Sequence, residues 1–213
     1  MDDIKDILDI IISVSSSVNE KGWGEGSTGN LSVLITGPLN SPGASSDHFE
    51  TGLFLPQLEK KYILISRSGS RFQDISSEPE ENLGLYRVEG GGETVSLIWG
   101  AGVPSSEWLV HLLLYAYKGR RINSILHCHM DEVFDVESYI KGPASTHPDW
   151  VAWLPGIPFG TLELARVTLQ EIEGREIAFW KGHGILSVSS DLESALNNIQ
   201  RFSEWSSTVT CDQ

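Results

Sequence analysis

The chain has 213 residues, of which 40% are hydrophobic, and this length predicts a single domain, 1–213, with one substantial core. Its 15 basic and 29 acidic residues give a formal net charge of -14, which argues against nucleic acid and anionic membrane surfaces as partners. The N-terminus lacks the basic start and long apolar stretch of a signal peptide, and no apolar run approaches the length of a membrane span. Two cysteines are too few for a disulfide framework, so we expect a reducing compartment, the cytoplasm.

The first predicted element is an amphipathic helix from Asp3 to Val18, because its apolar residues roughly follow helical spacing. A glycine-rich turn over 23–30 leads from this helix into a predicted strand, Leu31 to Ile35. Glycines let successive backbone N–H groups point into one concavity, which can bind an anion. The turn is therefore either an anion-binding nest or a plain connection between a helix and a strand.

The segment 36–61 is rich in Gly, Pro, Ser and Asn, and we expect most of it to be an extended surface excursion. A predicted strand over 62–65 runs into a second turn of small residues, 66–70, which contains Arg67. Its hydroxyls and its arginine could hold a phosphate together with the first turn, or the turn could be a solvated hairpin end. A β-hairpin is predicted next, over 84–99, around three consecutive glycines.

A helix that begins near Glu107 carries the next candidate site residue. Ser105 or Ser106 would cap this helix, which runs to about residue 117 and has Glu107 in its first turn. His111 would lie one turn further on the same face, either as a packing residue or as a partner of the site. A carboxylate near a metal can act as a base, although an acidic residue in a first turn also simply complements the helix dipole.

The stretch Ile122–His129 is an apolar strand that ends in two histidines one residue apart. Side chains alternate along a strand, so His127 and His129 would project from one face and Cys128 from the other. Two imidazoles on one face suit a divalent metal, and catalytic zinc typically takes three protein ligands and leaves one position open. His183, which follows a short apolar run, is the third candidate. The alternative for the pair alone is a chance occurrence on a half-buried strand.

Four further elements are predicted in the C-terminal part of the chain. We expect a helix over 133–140, a helix from Thr161 to about Glu173, a short strand up to Val188 and a last helix from Asp191. The apolar residues of the last helix that recur at helical spacing are Leu192, Ala195, Ile199 and Phe202.

Five short signatures, taken in order, resemble the class II aldolase/adducin family. They are Lys21-Gly22-Trp23 with Gly29-Asn30-Leu31-Ser32, Ser68-Gly69, Ser106-Glu107 with His111, His127-Cys128-His129, and His183-Gly184. Each signature is weak alone, whereas five in the right order over about 21–205 are specific. Within the family, the long excursion after the first strand and Ile98-Trp99-Gly100 are most similar to the rhamnulose-1-phosphate aldolase branch.

The resemblance implies an α/β fold, with a central, mostly antiparallel sheet that has helices on both faces, and a homotetramer with active sites at subunit interfaces. It also implies that three histidines bind zinc and that Glu107 is the catalytic acid/base. The implied metal ligands are His127, His129 and His183. The residues that would surround the substrate phosphate are Gly29, Asn30, Ser68, Gly69 and Ser106.

The activity implied by the resemblance is that of a zinc-dependent aldolase. It would cleave a ketose 1-phosphate, such as rhamnulose 1-phosphate, to dihydroxyacetone phosphate and an aldehyde. Physical chemistry supports the same reaction, because a glutamate in a dry site with a raised pKa could move the protons. Sugar-phosphate epimerases and dehydratases of the same family remain alternatives, as do adducin-like binding proteins that lack the metal site. A Schiff-base aldolase would need a desolvated lysine, and no lysine lies inside an apolar strand.

The chain departs from the family pattern at two places. Arg67 stands where a small residue or proline usually precedes Ser-Gly, so it could bind phosphate or lie in solvent. The segment 130–153 is shorter than in the rhamnulose enzyme, which carries there a second acidic residue that reaches a neighbouring subunit. Glu137 and Asp149 are the carboxylates nearby.

Overall fold

The computed structural model describes residues 4–39, 47–118, 121–131 and 148–210, and nine strands of these residues form one sheet. The strands are β1 (Asn30–Ile35), β2 (His48–Glu50), β3 (Tyr62–Ser66), β4 (Leu83–Glu89), β5 (Thr94–Gly100), β6 (Ser124–Cys128), β7 (Val151–Leu154), β8 (Ile177–Trp180) and β9 (Gly184–Ser189). The described α-helices are α1 (Lys5–Glu20), α2 (Phe72–Ser77), α3 (Pro79–Asn82), α4 (Trp108–Tyr117), α5 (Leu162–Glu171) and α6 (Leu192–Thr210).

The strand order across the sheet is β2-β5-β4-β3-β1-β6-β9-β8-β7. Every neighbouring pair is antiparallel except β7 and β8, which run parallel. The predicted α/β fold with a mostly antiparallel sheet is therefore confirmed. The central pair β1 and β6 sets Asn30 opposite His127, so two candidate site residues lie side by side at the same end of the sheet.

Helices cover both faces of the sheet, as expected. On one face, a core that contains Leu64 and Leu126 packs against α1, α2 and α6. On the other face, a core that contains Ile63 and Ile125 packs against α4 and α5. Neighbouring strand residues thus enter opposite cores, and this explains why the central strands are apolar on both sides and show no polar alternation.

Several elements agree closely with the sequence prediction. The first helix is Lys5–Glu20, and the hairpin strands are β4 and β5. Thr161 caps α5, because its Oγ1 accepts a hydrogen bond from the Leu164 N–H at 3.2 Å. Asp191 precedes α6 and accepts from the Ser194 N–H at 2.7 Å. The four apolar residues predicted for the buried face of α6 are all buried.

The prediction of a surface excursion over 36–61 is wrong in its second half. His48–Glu50 pairs with β5, and Leu55 and Leu58 are buried in the core beneath α4. The polar composition of the segment concealed these two leucines. The helices α2 and α3 and the strand β7 were also not predicted, whereas the helix expected over 133–140 lies outside the described residues.

No helix within the described parts of the chain combines the length and the hydropathy that crossing a bilayer requires.

Candidate active site

Three histidines converge at the end of β6 and at the turn before β9. His127 lies on β6, His129 follows the end of that strand, and His183 lies in the turn between β8 and β9. The His127 Nε2 atom lies 2.9 Å from the His129 Nε2 and 3.2 Å from the His183 Nε2. Cys128 points to the other face of the sheet, into the core beside α1, α2 and α6, as strand alternation predicts. The structure therefore brings together all three predicted metal ligands.

The donor set fits a divalent metal of the size of zinc. Three nitrogens held tetrahedrally at 2.0–2.1 Å from zinc would be about 3.3–3.4 Å apart. The ligand nitrogens of the three histidines all lie within 4.8 Å of one another, and two of the separations are close to the tetrahedral value. A set of three histidines also leaves a position for water or substrate, as a catalytic site requires.

The imidazoles are held in the state that binds metal. The Nδ1–H of His127 donates to the Ile185 carbonyl oxygen at 2.9 Å, and this leaves the Nε2 lone pair free for a ligand. Burial lowers the pKa of His127 and, with the neighbouring imidazoles, lowers the pKa of His129 to about 3. Both rings are therefore neutral at physiological pH, and neutral imidazole is the form that coordinates a metal.

Gly184 leaves room for this cluster of rings. A Cβ atom at Gly184 would lie 2.5 Å from the Cys128 carbonyl oxygen and 2.8 Å from His127 Cε1. These distances are far below ordinary contact, so any side chain would displace the β6 backbone or the imidazole.

We expect Gly184→Ala to weaken metal binding about 10- to 100-fold, because it displaces a ligand ring. It should also lower the free energy of unfolding by about 1–3 kcal/mol through overpacking. Titration with zinc and thermal unfolding measure the two effects. Gly37→Ala is the matched control, because a Cβ atom there meets nothing within 4 Å. Equal metal affinity in the two variants would contradict this account of Gly184.

Glu107 lies next to two of the three histidines, His127 and His183. Its Oε1 is 2.9 Å from His183 Nε2, and its Oε2 is 3.4 Å from His127 Nε2. The side-chain amide of Asn30 donates to Oε2 at 2.6 Å. Glu107 occupies the N-cap position of α4 and is not a member of the first turn, and no side chain makes a capping hydrogen bond to this helix. The predicted helix start is thus wrong by one residue, and the carboxylate points into the site.

The pKa of Glu107 is lowered, whereas the sequence predicted that it would be raised. Burial raises the pKa of this carboxyl group, but His127, His183 and the amide of Asn30 together lower it by more. Hydrogen bonds donated to a carboxylate favour its charged form. The carboxylate is therefore ionised in this arrangement and can accept a proton.

A cavity of about 740 Å³ opens over Glu107, His129 and His183. The residues expected around a phosphate, Gly29, Asn30, Ser68, Gly69 and Ser106, all line this cavity. Within the described residues, the Ser68 and Ser106 hydroxyls and the Gly69 N–H have no protein hydrogen-bond partner. Of the two acidic residues considered between 130 and 153, Asp149 does not line the cavity, and Glu137 lies outside the described residues.

Sequence reasoning missed a buried network behind the site. The Ser32 hydroxyl lies 2.6 Å from His111 Nδ1 and 2.7 Å from the Tyr115 hydroxyl. Burial lowers the pKa of His111 to about 3, so this ring is neutral. The spacing of His111 and Tyr115 on one face of a helix was visible in the sequence, but their partner on β1 was not. The network ties α4, which follows Glu107, to the central strand β1.

The cavity also contains Arg67, which the sequence left as a phosphate-binding or solvent-exposed residue, and two residues that were not considered from the sequence, Lys181 and Phe159. Arg67 and Lys181 both line the cavity. Phe159, which is 69% exposed, sets its ring 5.7 Å from that of His183.

Comparisons with known proteins agree with these observations. The family model for the class II aldolase and adducin N-terminal domain matches residues 9–209. Rhamnulose-1-phosphate aldolase of Escherichia coli is 24% identical over 206 residues, which cover 84% of this chain and 75% of that protein. The enzyme of the same name from Shigella boydii matches equally well.

Solved structures show the same fold. The sugar-phosphate aldolase from Thermotoga maritima superposes with a TM-score of 0.80 at 20% identity, covering 97% of this chain and 94% of that one. L-fuculose-1-phosphate aldolase from Thermus thermophilus gives a TM-score of 0.61 at 16% identity, with 94% and 92% covered. Because the family model spans nearly the whole sequence, this chain belongs to the class II aldolase and adducin family.

Proposed function

We propose that this protein is a zinc-dependent aldolase that cleaves a ketose 1-phosphate, such as rhamnulose 1-phosphate, to dihydroxyacetone phosphate and an aldehyde. We propose further that the chain 1–213 forms one domain. The observation that carries the proposal is the convergence of three imidazole nitrogens and one buried carboxylate beneath a cavity with unpaired hydroxyls. The names of the aldolase relatives support the substrate class.

The metal would be held by His127, His129 and His183. Cleavage of the bond between the α and β carbons of the ketone leaves an enediolate, and a bound zinc ion would supply Lewis-acid stabilisation of that negative charge. An adducin-like binding protein would not need this set of ligands. The intact cluster of three histidines beside Glu107 therefore favours an enzyme.

Glu107 would be the catalytic acid/base. As an ionised carboxylate it can take the proton from the carbon next to the carbonyl in the condensation direction, and it returns that proton to carbon during cleavage. Asn30 holds the carboxylate through the 2.6 Å hydrogen bond to Oε2, so its role is to orient Glu107 in addition to lining the phosphate site. In the cleavage direction, the carboxylate would first accept the proton that the β-hydroxyl of the substrate loses as the carbon–carbon bond breaks, and it would then give that proton to the carbon.

The phosphate would bind among groups that lack a protein partner. Ser68 and Ser106 offer hydroxyls, and Gly69 offers a backbone N–H. Such a cradle of neutral donors, with Gly29 and Asn30 beside it, allows a protein with a net charge of -14 to hold an anion locally.

A homotetramer and a cytoplasmic location complete the proposal. Phe159 at the cavity and Val103 near it are 69% and 57% exposed, and a subunit interface at this edge would cover both side chains. The thiol of Cys128 is free and buried, as expected for a reducing compartment.

The test is release of dihydroxyacetone phosphate from rhamnulose 1-phosphate and from fuculose 1-phosphate by purified protein, with metal content measured in parallel. We expect about one zinc per chain, cleavage of at least one substrate, and loss of activity on chelation that zinc restores. Bound metal without cleavage would instead point to an epimerase or dehydratase. Protein that takes up no metal would contradict the enzyme proposal.

A further inference from the structure

Arg67 occupies a fixed place at the wall of the cavity, directly before Ser68. Its backbone N–H donates to the Asn82 carbonyl oxygen at 2.9 Å, and its own carbonyl oxygen accepts from the Ser70 N–H at 3.2 Å. It also forms a β-bridge with Pro104. These hydrogen bonds and the β-bridge fix the backbone of Arg67 directly after β3, and so they fix the point from which its side chain extends.

The stem of the side chain lies over Gly102. A Cβ atom at Gly102 would overlap Arg67 Cδ and would lie 2.7 Å from its Cγ. Gly102 also has a φ of +79°, which favours glycine. The carbonyl oxygen of Gly102 is held in turn by the Tyr86 hydroxyl, which donates to it at 2.7 Å. The absence of a side chain at residue 102 thus makes the groove in which Arg67 lies.

The guanidinium group has no counter-ion within the described chain. No carboxylate there forms an ion pair with it, although acidic residues outnumber basic ones by 29 to 15. The Nε–H is buried and has no hydrogen-bond partner. A buried donor without a partner is costly, and the planar fork of arginine matches the oxygens of a phosphate. Arg67 lines the cavity, so its unpaired positive charge is available to an anion there.

We propose that Arg67 binds the phosphate group of the substrate and makes this enzyme selective for phosphorylated sugars. The inference rests on the proposed function and adds a charged residue to its neutral phosphate site. Arg67 adjoins Ser68 and Gly69 along the chain, so the guanidinium, the Ser68 hydroxyl and the Gly69 N–H can act on one anion. Lys181, the other basic residue of the cavity, instead adjoins the turn that carries His183 and is exposed.

The test compares zinc-loaded wild type with Arg67→Met, which keeps the stem over Gly102 and removes the charge. Calorimetry measures the Kd for phosphoglycolate, a phosphate ester that the enzyme cannot cleave, and steady-state kinetics measure kcat and KM for the ketose 1-phosphate. Arg67→Gln replaces Arg67→Met if the latter does not fold. Arg71→Met is the matched control, because Arg71 is exposed and does not line the cavity.

We expect Arg67→Met to raise both the Kd and the KM about 10- to 100-fold, the effect of losing a charge-assisted hydrogen bond. The kcat should change less than about threefold, because the lost contact is present in both ground and transition states. Arg67→Lys should recover part of the affinity, since it keeps the charge without the fork. The dependence of Kd on salt should weaken in Arg67→Met and stay unchanged in Arg71→Met.

Two results would overturn the proposal, and they can be told apart. If wild type binds phosphoglycolate and cleaves the sugar phosphate, while Arg67→Met does both with unchanged Kd and KM, the role of Arg67 is wrong and the proposed function stands. If wild type with its zinc bound neither binds phosphoglycolate nor cleaves any sugar phosphate, the substrate class itself is wrong.

Discussion

We expect His183→Ala to lose the bound metal and at least about 10³-fold of the activity, because Lewis-acid stabilisation contributes several kcal/mol to such a transition state. His183 is the most suitable of the three proposed ligands to remove. Its backbone N–H donates to the Trp180 carbonyl oxygen at 3.0 Å, so the turn should persist without the imidazole. His127 is wholly buried, and its removal would leave a cavity and confound metal loss with unfolding.

Metal analysis after dialysis, zinc titration and the initial rate of dihydroxyacetone phosphate release would measure the effect. His48→Ala is the matched control: His48 is exposed and is hydrogen-bonded to Ser96 on β5, away from the cluster. This control should retain both zinc and activity. A His183→Ala protein that kept stoichiometric zinc at wild-type affinity would show that these three histidines are not the ligand set.

The convergence of the three candidate metal ligands was the part of the geometry that the sequence predicted well. The pair His127 and His129 follows from strand alternation alone, and that relation holds wherever the strand lies. His183 was a weaker inference, since its position depends on the antiparallel pairing of β6 with β9, which sets His127 opposite Leu186. The sequence indicated the two strands but not their register. The resemblance to a family supplied the link.

Contacts between distant segments could not be predicted from local patterns. The hydrogen bond from Asn30 to Glu107 joins residues 77 positions apart, and the contact of Ser32 with His111 joins residues 79 apart. Both depend on where α4 crosses the central strand β1. The direction of the Glu107 pKa was wrong for the same reason, because burial alone was considered and the stabilising partners were not known.

The polar composition of 36–61 misled the prediction in a different way. Composition averages over a segment, whereas burial is decided residue by residue. Leu55 and Leu58 are separated by only two residues, Pro56 and Gln57, and a short 3-10 helix, Pro56–Leu58, sets both into the core. A pair of apolar residues three apart around a proline was the available signal for this turn.

We expect Glu107→Gln to bind zinc normally and to lose about 10²- to 10⁴-fold in kcat, the usual contribution of a general acid/base. Gln retains the shape of the side chain, and its carbonyl oxygen can still accept the hydrogen bond from Asn30. The Glu107 carboxylate is not part of the cluster of three histidines, so metal content should not change. The substitution removes the group that takes a proton from the carbon next to the carbonyl and returns it there.

Exchange of the carbon-bound proton of dihydroxyacetone phosphate with deuterated solvent measures that single step without the aldehyde. Wild type should catalyse the exchange, and Glu107→Gln should not, although it still binds the compound. Glu163→Gln is the control, because Glu163 is an exposed acidic residue in the first turn of α5 and only complements the helix dipole. If Glu107→Gln exchanged the proton at the wild-type rate, the base would be another group, and Glu107 would be an electrostatic partner of the histidines.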